Sequence, residues 1–290
     1  MGQQTAEEID ARRQFVHAGW AAVAPAWGEH AAYAATRTSI VARAMFDHVA
    51  PAPGDRVLEL ACGPGTVGIQ AAALVAPLGE VVLSDVAAEM VAIATERAAA
   101  RGLTNVTTAV LDLEAIDAPD ASFDLVLCAE GLMFAVDLDR AAREIVRVLR
   151  PGGRAAIGVW GPRARNPWLG LVFDALATQL GHPVPPPGVP HPFALEDASR
   201  LRTLLEGAGL ADVAIDEVEV PVHAESFESW WSRTTSLAGP LALILGSLDE
   251  AAEAELLARL RDAVSPFETA DGLTLPGLAL VACGAVAPEV

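Results

Sequence analysis

Apolar residues recur at two different periods along this chain. In residues 6–50, Ile9, Phe15, Val16, Trp20 and Val23 fall near helical spacing, and Ile40, Val41, Met45 and Phe46 continue it. The spacing predicts helices there, closed by Pro51-Ala-Pro-Gly54. From residue 55, short apolar runs alternate with longer helical stretches: strand 55–60, helix 66–76, strand 80–84, helix 87–101 and strand 106–111. A loop follows, then strand 123–128, helix 137–149 and, after a stop at Pro151-Gly-Gly153, strand 154–160. Strands alternating with helices of this length predict βαβ units, joined by right-handed crossovers into a parallel sheet.

After Trp160 the rhythm changes. Residues 161–195 are rich in Pro, Gly and His, including Pro185-Pro-Pro187, and read as a loop-plus-helix insertion. A helix (196–208) and a strand (211–220) resume the sheet. Residues 225–265 add helix, with Trp230 and Trp231 adjacent, and Leu273–Val286 reads as one last strand. The expected fold is α/β: a doubly wound, mostly parallel seven-stranded sheet with a helical substrate cap. Three regions follow: an N-terminal helical cap (1–50), a nucleotide-binding core (51–160), and completion of the sheet with helical lid insertions (161–290).

Composition narrows the partners. The 290 residues are 52% hydrophobic and 20% charged, which marks a globular chain. The formal charge is −19, and every basic residue is Arg. Such a field repels phosphate backbones and anionic lipid, so neither nucleic acid nor membrane is expected as a partner. Cys62, Cys128 and Cys283 lie far apart, with no CxxC and no paired His at metal spacing. They read as buried thiols in a reducing compartment, with no metal site. The chain start has neither a basic leader nor an apolar signal core, and Ala6 breaks the myristoylation pattern. The apolar stretch 237–245 contains Gly239 and Pro240 and is too short to span a bilayer. A cytoplasmic protein is expected, and a homodimer is left open.

Chemistry concentrates in Asp55-Arg-Val-Leu-Glu-Leu-Ala-Cys-Gly-Pro-Gly-Thr-Val-Gly68. A strand ends in the glycine-rich turn Gly63-x-Gly65-x-x-Gly68, and a helix follows; α/β proteins hold nucleotides at such corners. Asp85, ending the second strand 20 residues after Gly65, suits a ribose hydroxyl. NAD and S-adenosylmethionine both satisfy that much. Glu59, two residues before Ala61, is an acid at a strand end where a structural strand gains nothing from it. A carboxylate there can meet the α-amino group of a methionine moiety, and NAD has no ammonium to offer. Asp112 ends the third strand, where it can accept from an adenine exocyclic amine. The segments 122–128 and 147–154 fill the places of a fourth strand and of the helix end that follows it.

On these motifs, residues 50–160 resemble the class I S-adenosylmethionine-dependent methyltransferases. They are most similar to the small-molecule branch that includes ubiquinone/menaquinone-type and polyketide-tailoring enzymes. Gly19-Trp20, Ala26-Trp27 and Leu275-Pro-Gly-Leu-Ala-Leu280 are similar to that branch too. One departure is Ala61, where the family carries Gly; an Ala methyl fits there if φ is negative. The resemblance implies S-adenosyl-L-methionine as cofactor. It places Glu59, Ala61, Cys62, Gly63 and Gly65 at the methionine end and Asp85 on the ribose. Val86 and Met90 would lie beside the adenosine, Asp112 and Leu113 on the adenine, and Ala129 and Glu130 near the sulfonium.

A sulfonium is an activated methyl donor, so orientation and water exclusion carry most of such catalysis. A phenol or alcohol acceptor also needs its proton removed. His191, followed by Pro-Phe in the insertion that admits substrate, is the candidate base, with His223 next; His48 reads as structural. Met133, Phe134, Trp160 and Trp168 are expected to wall an apolar acceptor pocket, with Trp230 and Trp231 as its lid. Neither an Asp/Asn-Pro-Pro-Tyr sequence nor a Pro-Cys nucleophile occurs, which points away from nucleic acid. The expected reaction is methyl transfer to a hydroxyl of a small, largely apolar aromatic or polyketide-like metabolite. The alternatives are C-methylation of a quinol-like ring, a non-methylating cyclase or decarboxylase of the same fold, and an NAD-dependent oxidoreductase.

Overall fold

The structure, a computed structural model, describes residues 6–289. Residues 1–5, on which the leader and myristoylation readings largely rest, lie outside the described residues. Two helices, α1 (Ala6–Glu29) and α2 (Ala31–Val49), precede the alternation. It runs β1 (Arg56–Glu59), α3 (Thr66–Val75), β2 (Glu80–Asp85), α4 (Ala88–Ala100), β3 (Val106–Val110), β4 (Phe123–Ala129), α5 (Leu138–Val148) and β5 (Leu149–Trp160). Then come α6 (Pro167–Leu180), α7 (Ala198–Ala208), β6 (Leu210–Glu219) and β7 (Val222–Ala224). The chain closes with α8 (Phe227–Ser236), α9 (Pro240–Leu245), α10 (Glu250–Val264), β8 (Glu268–Thr269), β9 (Gly272–Leu275) and β10 (Leu278–Val286).

Seven strands form one sheet in the order β3-β2-β1-β4-β5-β10-β6. β1 pairs parallel with β2 and β4, β2 with β3, and β4 with β5, while β10 runs antiparallel between β5 and β6. Val57, Leu58, Leu125, Val126 and Leu127 of the two middle strands are fully buried. Sheets covered by helices on both faces need such continuous apolar strands. α2 lies on β5 and β10 and sends Val41, Met45 and Val49 into the core. β2 and β3 extend the sheet to one side of β1, and β4 and β5 extend it to the other. The loops leaving β1 and β4 therefore diverge, and the crevice between them is where an open α/β sheet takes its ligand.

Two expectations need correction. Pro151-Gly-Gly153 does not stop β5; the strand starts at Leu149 and runs through it. The register steps from Phe123↔Leu149 to Leu125↔Arg154, so residues 150–153 bulge out, with Gly152 at φ 74°. The final strand is also two strands. Pro276 and Gly277 separate β9 from β10, and β9 joins a small sheet, β7-β9-β8, that the sequence did not announce. Gly277 sits where a Cβ would meet the Val220 carbonyl oxygen at 2.1 Å, so only glycine allows that approach. Strands of two to four residues are too short to show a period of their own.

Candidate active site

The turn after β1 is held from three sides. Gly65, at φ 76°, starts α3 without a side-chain cap of its own. The capping acceptor comes from the strand: Glu59 Oε2 accepts the Gly68 amide at 2.8 Å, so β1 caps the helix it feeds. Glu59 thus has the structural use that its place in a strand end seemed to deny it. Gly68 is required for this contact, because a Cβ would meet Leu83 Cδ2 at 2.2 Å and Glu59 Oε2 at 2.6 Å. From β2, Asp85 accepts the Gly63 amide through Oδ2 (2.9 Å) and the Ala87 amide through Oδ1 (3.0 Å). From α4, Arg97 donates to the Pro64 carbonyl.

Both carboxyls are buried, Glu59 at 2% and Asp85 at 7% exposure. Burial pushes the Glu59 carboxyl up to about 8, against the pull of the α3 amides, and raises Asp85 as well. A carboxyl lifted to about 8 is protonated near neutral pH until a cation arrives beside it. At the third tip, Asp112 Oδ1 accepts the Glu114 amide, and its Oδ2 lies 3.5 Å from Arg13 Nε and 3.9 Å from His17 Nε2. Arg13 also donates to the buried Glu114 (2.7 Å), pinning α1 across this end of the crevice.

These tips open into one cavity of about 450 Å³. Glu59, Ala61, Cys62, Gly63, Asp85, Val86, Met90, Asp112, Leu113, Ala129 and Glu130 all line it; Gly65 shapes the turn from behind. Phe134, Trp160, Trp168 and His191 also face it. Met133 does not: it is fully buried in the core. His223 does not either, since β7 carries it outward, where its ring pairs with Thr274 Oγ1 at 3.1 Å. Trp230 is core rather than lid, and its Nε1 donates to the Trp168 carbonyl. His191 Nδ1 accepts the Phe193 amide at 3.1 Å, which leaves Nε2 as the protonated, donating nitrogen. Burial lowers its pKa, which favours the neutral ring.

α1 and α2 supply what the sequence reading missed. Trp20 meets Phe134 edge-on, ring centroids 4.8 Å apart, closing one end of the cavity. From α2, Arg37 lies over the Trp168 ring at 4.4 Å and the Trp160 ring at 5.0 Å. The helical period of residues 6–50 showed that these were helices, but not which face would meet the crevice.

Residues 57–153 match the methyltransferase domain family. The chain is 33% identical to nocamycin O-methyltransferase from Saccharothrix syringae, over 65% of this chain and 71% of that enzyme. The chain belongs to the class I S-adenosylmethionine-dependent methyltransferases of the small-molecule branch. The chain is also 37% identical to the ubiquinone/menaquinone biosynthesis C-methyltransferase UbiE of Ectopseudomonas mendocina, over 42% of this chain and 48% of that one. It spans about half the length of such relatives. Its fold is like that of the YcgJ protein from Bacillus subtilis, with TM-score 0.58, 20% identity, and coverage of 86% of this chain and 99% of that one.

The residues present fit the family's donor in kind. Gly63, at φ 49°, has nothing within 4 Å of a Cβ position, so the backbone of the turn lies open to a ligand. Two buried carboxyls flank that opening and offer acceptors to an ammonium and to hydroxyls. The departure at Ala61 is sharper than expected. Its φ is 49°, in the left-handed region, so the methyl is not relieved by a negative φ. Gly131 makes the room: a Cβ there would meet the Ala61 Cβ at 2.4 Å. A left-handed Ala costs about 1–2 kcal/mol over glycine, partly offset by the unfolded-state entropy glycine restores. Ala61→Gly is expected to stabilise the protein by about 0.5–1 kcal/mol, raising its melting temperature by roughly 2 °C. A lower melting temperature would refute the strain.

Proposed function

We propose that this protein transfers the methyl group of S-adenosylmethionine to a hydroxyl of a small, largely apolar metabolite. The observation that carries the reading is the single cavity that runs from the carboxyls at the strand tips to a wall of aromatic rings. The nocamycin O-methyltransferase match, which extends over most of that enzyme, supports a hydroxyl acceptor.

In this reading Glu59 meets the donor's ammonium, Asp85 its ribose, Val86 and Met90 its adenosine face, and Asp112 with Leu113 its adenine. The bound donor supplies a methyl on a sulfonium, with the sulfide as its leaving group. The remaining work belongs to the chain. Phe134, Trp160 and Trp168 orient an apolar acceptor and exclude water, which strengthens every charge interaction inside. His191, as a donor through Nε2, orients an acceptor oxygen and does not deprotonate it.

The test is incubation with methyl-labelled donor and a phenolic panel, with product analysed for the atom labelled. Label on oxygen is the expected result. Label found only on ring carbon would overturn the hydroxyl assignment in favour of C-methylation, the activity named for UbiE. Binding itself is read separately: S-adenosylhomocysteine should raise the melting temperature, because a ligand bound only to the folded state stabilises it by RT ln(1 + [L]/Kd).

A further inference from the structure

Two arginines line the cavity. Arg233 is engaged: it stacks over the Tyr33 ring at 4.1 Å and donates to Ser229 Oγ at 2.7 Å. Arg37 is held differently. Its guanidinium is fixed over the Trp168 and Trp160 rings, yet its Nε and Nη2 are buried with no hydrogen-bond partner among the described residues.

The stacking surface is itself built rigidly. Asn166 is fully buried, and its Oδ1 accepts both Trp168 Nε1 (3.0 Å) and the Leu278 amide (2.9 Å). Its Nδ2 donates to the Gly161 and Leu278 carbonyls. Trp168 therefore cannot rotate away, and Arg37 stays stacked on it. Glu130, in the same cavity, mirrors the arginine. Its Oε1 is buried without a partner, and it sits at φ 60°, a backbone conformation a non-glycine residue holds at a cost. Arg37 and Glu130 make no ion pair with one another, although the cation pulls on the carboxyl from a distance. An orphaned buried donor and an orphaned buried acceptor in one ligand-sized cavity are both costly without a ligand that answers them.

We propose that Arg37 and Glu130 together select the acceptor as an acidic hydroxyl flanked by a carbonyl or carboxylate oxygen, such as an ortho-hydroxyaryl acid or ketone. The flanking oxygen accepts from the Arg37 Nε and Nη2, a fork suited to oxygen acceptors. The hydroxyl proton passes to the Glu130 carboxylate. The oxygen's freed electron pair forms the new O–C bond as the C–S bond breaks and its pair stays on sulfur; Glu130 then releases the proton to water. This rests on the methyl-transfer reading above.

The experiment measures binding of three probes to protein saturated with S-adenosylhomocysteine: 1-hydroxy-2-naphthoate, 2-acetyl-1-naphthol and 1-naphthol. The naphthoate, alone or with the ketone, is expected to bind at least tenfold tighter than 1-naphthol. Preference for both assigns the flanking group as any oxygen acceptor, and preference for the naphthoate alone assigns it as a carboxylate. Arg37→Met should erase the preference while S-adenosylhomocysteine affinity stays within twofold of the parent. Arg37→Lys should not restore it, because an ammonium neither stacks nor forks. Equal binding of all three probes, no binding of any, or a preference that survives Arg37→Met would overturn the proposal. The first two results are read on the unaltered protein and do not depend on a variant folding. Failure of S-adenosylhomocysteine to bind at all would instead sink the methyl-transfer reading.

Discussion

Asp85→Ala is expected to weaken S-adenosylhomocysteine binding by about a hundredfold, read by calorimetry, with the fold retained by circular dichroism. Both carboxyl oxygens of Asp85 already hold backbone amides, Gly63 through one and Ala87 through the other. Each oxygen keeps a second acceptor site, which suits two adjacent ribose hydroxyls. A hydrogen bond to a charged acceptor contributes roughly 1.5–3 kcal/mol, and about 2.7 kcal/mol corresponds to a hundredfold change in Kd. The substitution removes two such acceptors and also loosens the turn that presents Gly63. Asp85→Asn separates the effects: one oxygen still accepts an amide, but the amide nitrogen cannot accept a hydroxyl. It should bind between the parent and the Ala variant. Unchanged affinity in both variants would remove Asp85 from the donor site.

The strand-tip half of the cavity was legible in the sequence because every part of it is local. A strand, a glycine turn and an acid at each strand end are separated by fixed spacings, and parallel pairing brings successive strand tips together without further information. Even there, the sequence told which residue and not what it does at rest. Glu59 looked like a pure ligand acid, and the structure shows that it also caps α3. Ala61 looked tolerable, and it sits at a positive φ that Gly131 accommodates.

The aromatic half of the cavity was less legible, because its walls come from segments distant in sequence. Phe134, Trp160, Trp168 and His191 face the cavity, but Met133, next to Phe134, points into the core, and His223 leaves on a short strand belonging to a second sheet. In the 3₁₀ turn Leu132–Phe134, Leu132 and Met133 are buried in the core while Phe134 faces the cavity, and composition says nothing about which way each turns. Arg13, Trp20 and Arg37 were missed for a related reason. Helical periodicity locates an apolar stripe, and a charged residue beside that stripe reads as solvated until the partner surface is known. The one signal available was an arginine, one of two on a helix rich in small residues, and many exposed arginines give that same signal.

Asn166→Ala is expected to have the largest effect on stability, a loss of about 3–5 kcal/mol in unfolding free energy. Asn166 has no exposed surface and ties three chain segments together: Gly161 and Pro162 just after β5, Trp168 at the start of α6, and Leu278 at the start of β10. With an alanine there, the Trp168 Nε1 and Leu278 N–H lose this acceptor within the core, and each buried unpaired donor costs about 1–3 kcal/mol. The carbonyls fare better, because the Leu278 oxygen keeps the Gly161 amide at 2.9 Å. A small void adds to the penalty. Against a total stability of about 5–15 kcal/mol, such a loss should be obvious in urea unfolding. The variant also carries a functional consequence that a purely structural asparagine would not. Trp168 released from Asn166 no longer fixes the Arg37 guanidinium, so at temperatures where the variant is folded, probe selectivity should fall while S-adenosylhomocysteine affinity holds. A stability loss under 1 kcal/mol would mean that the pairing around Asn166 is not what anchors this wall of the cavity.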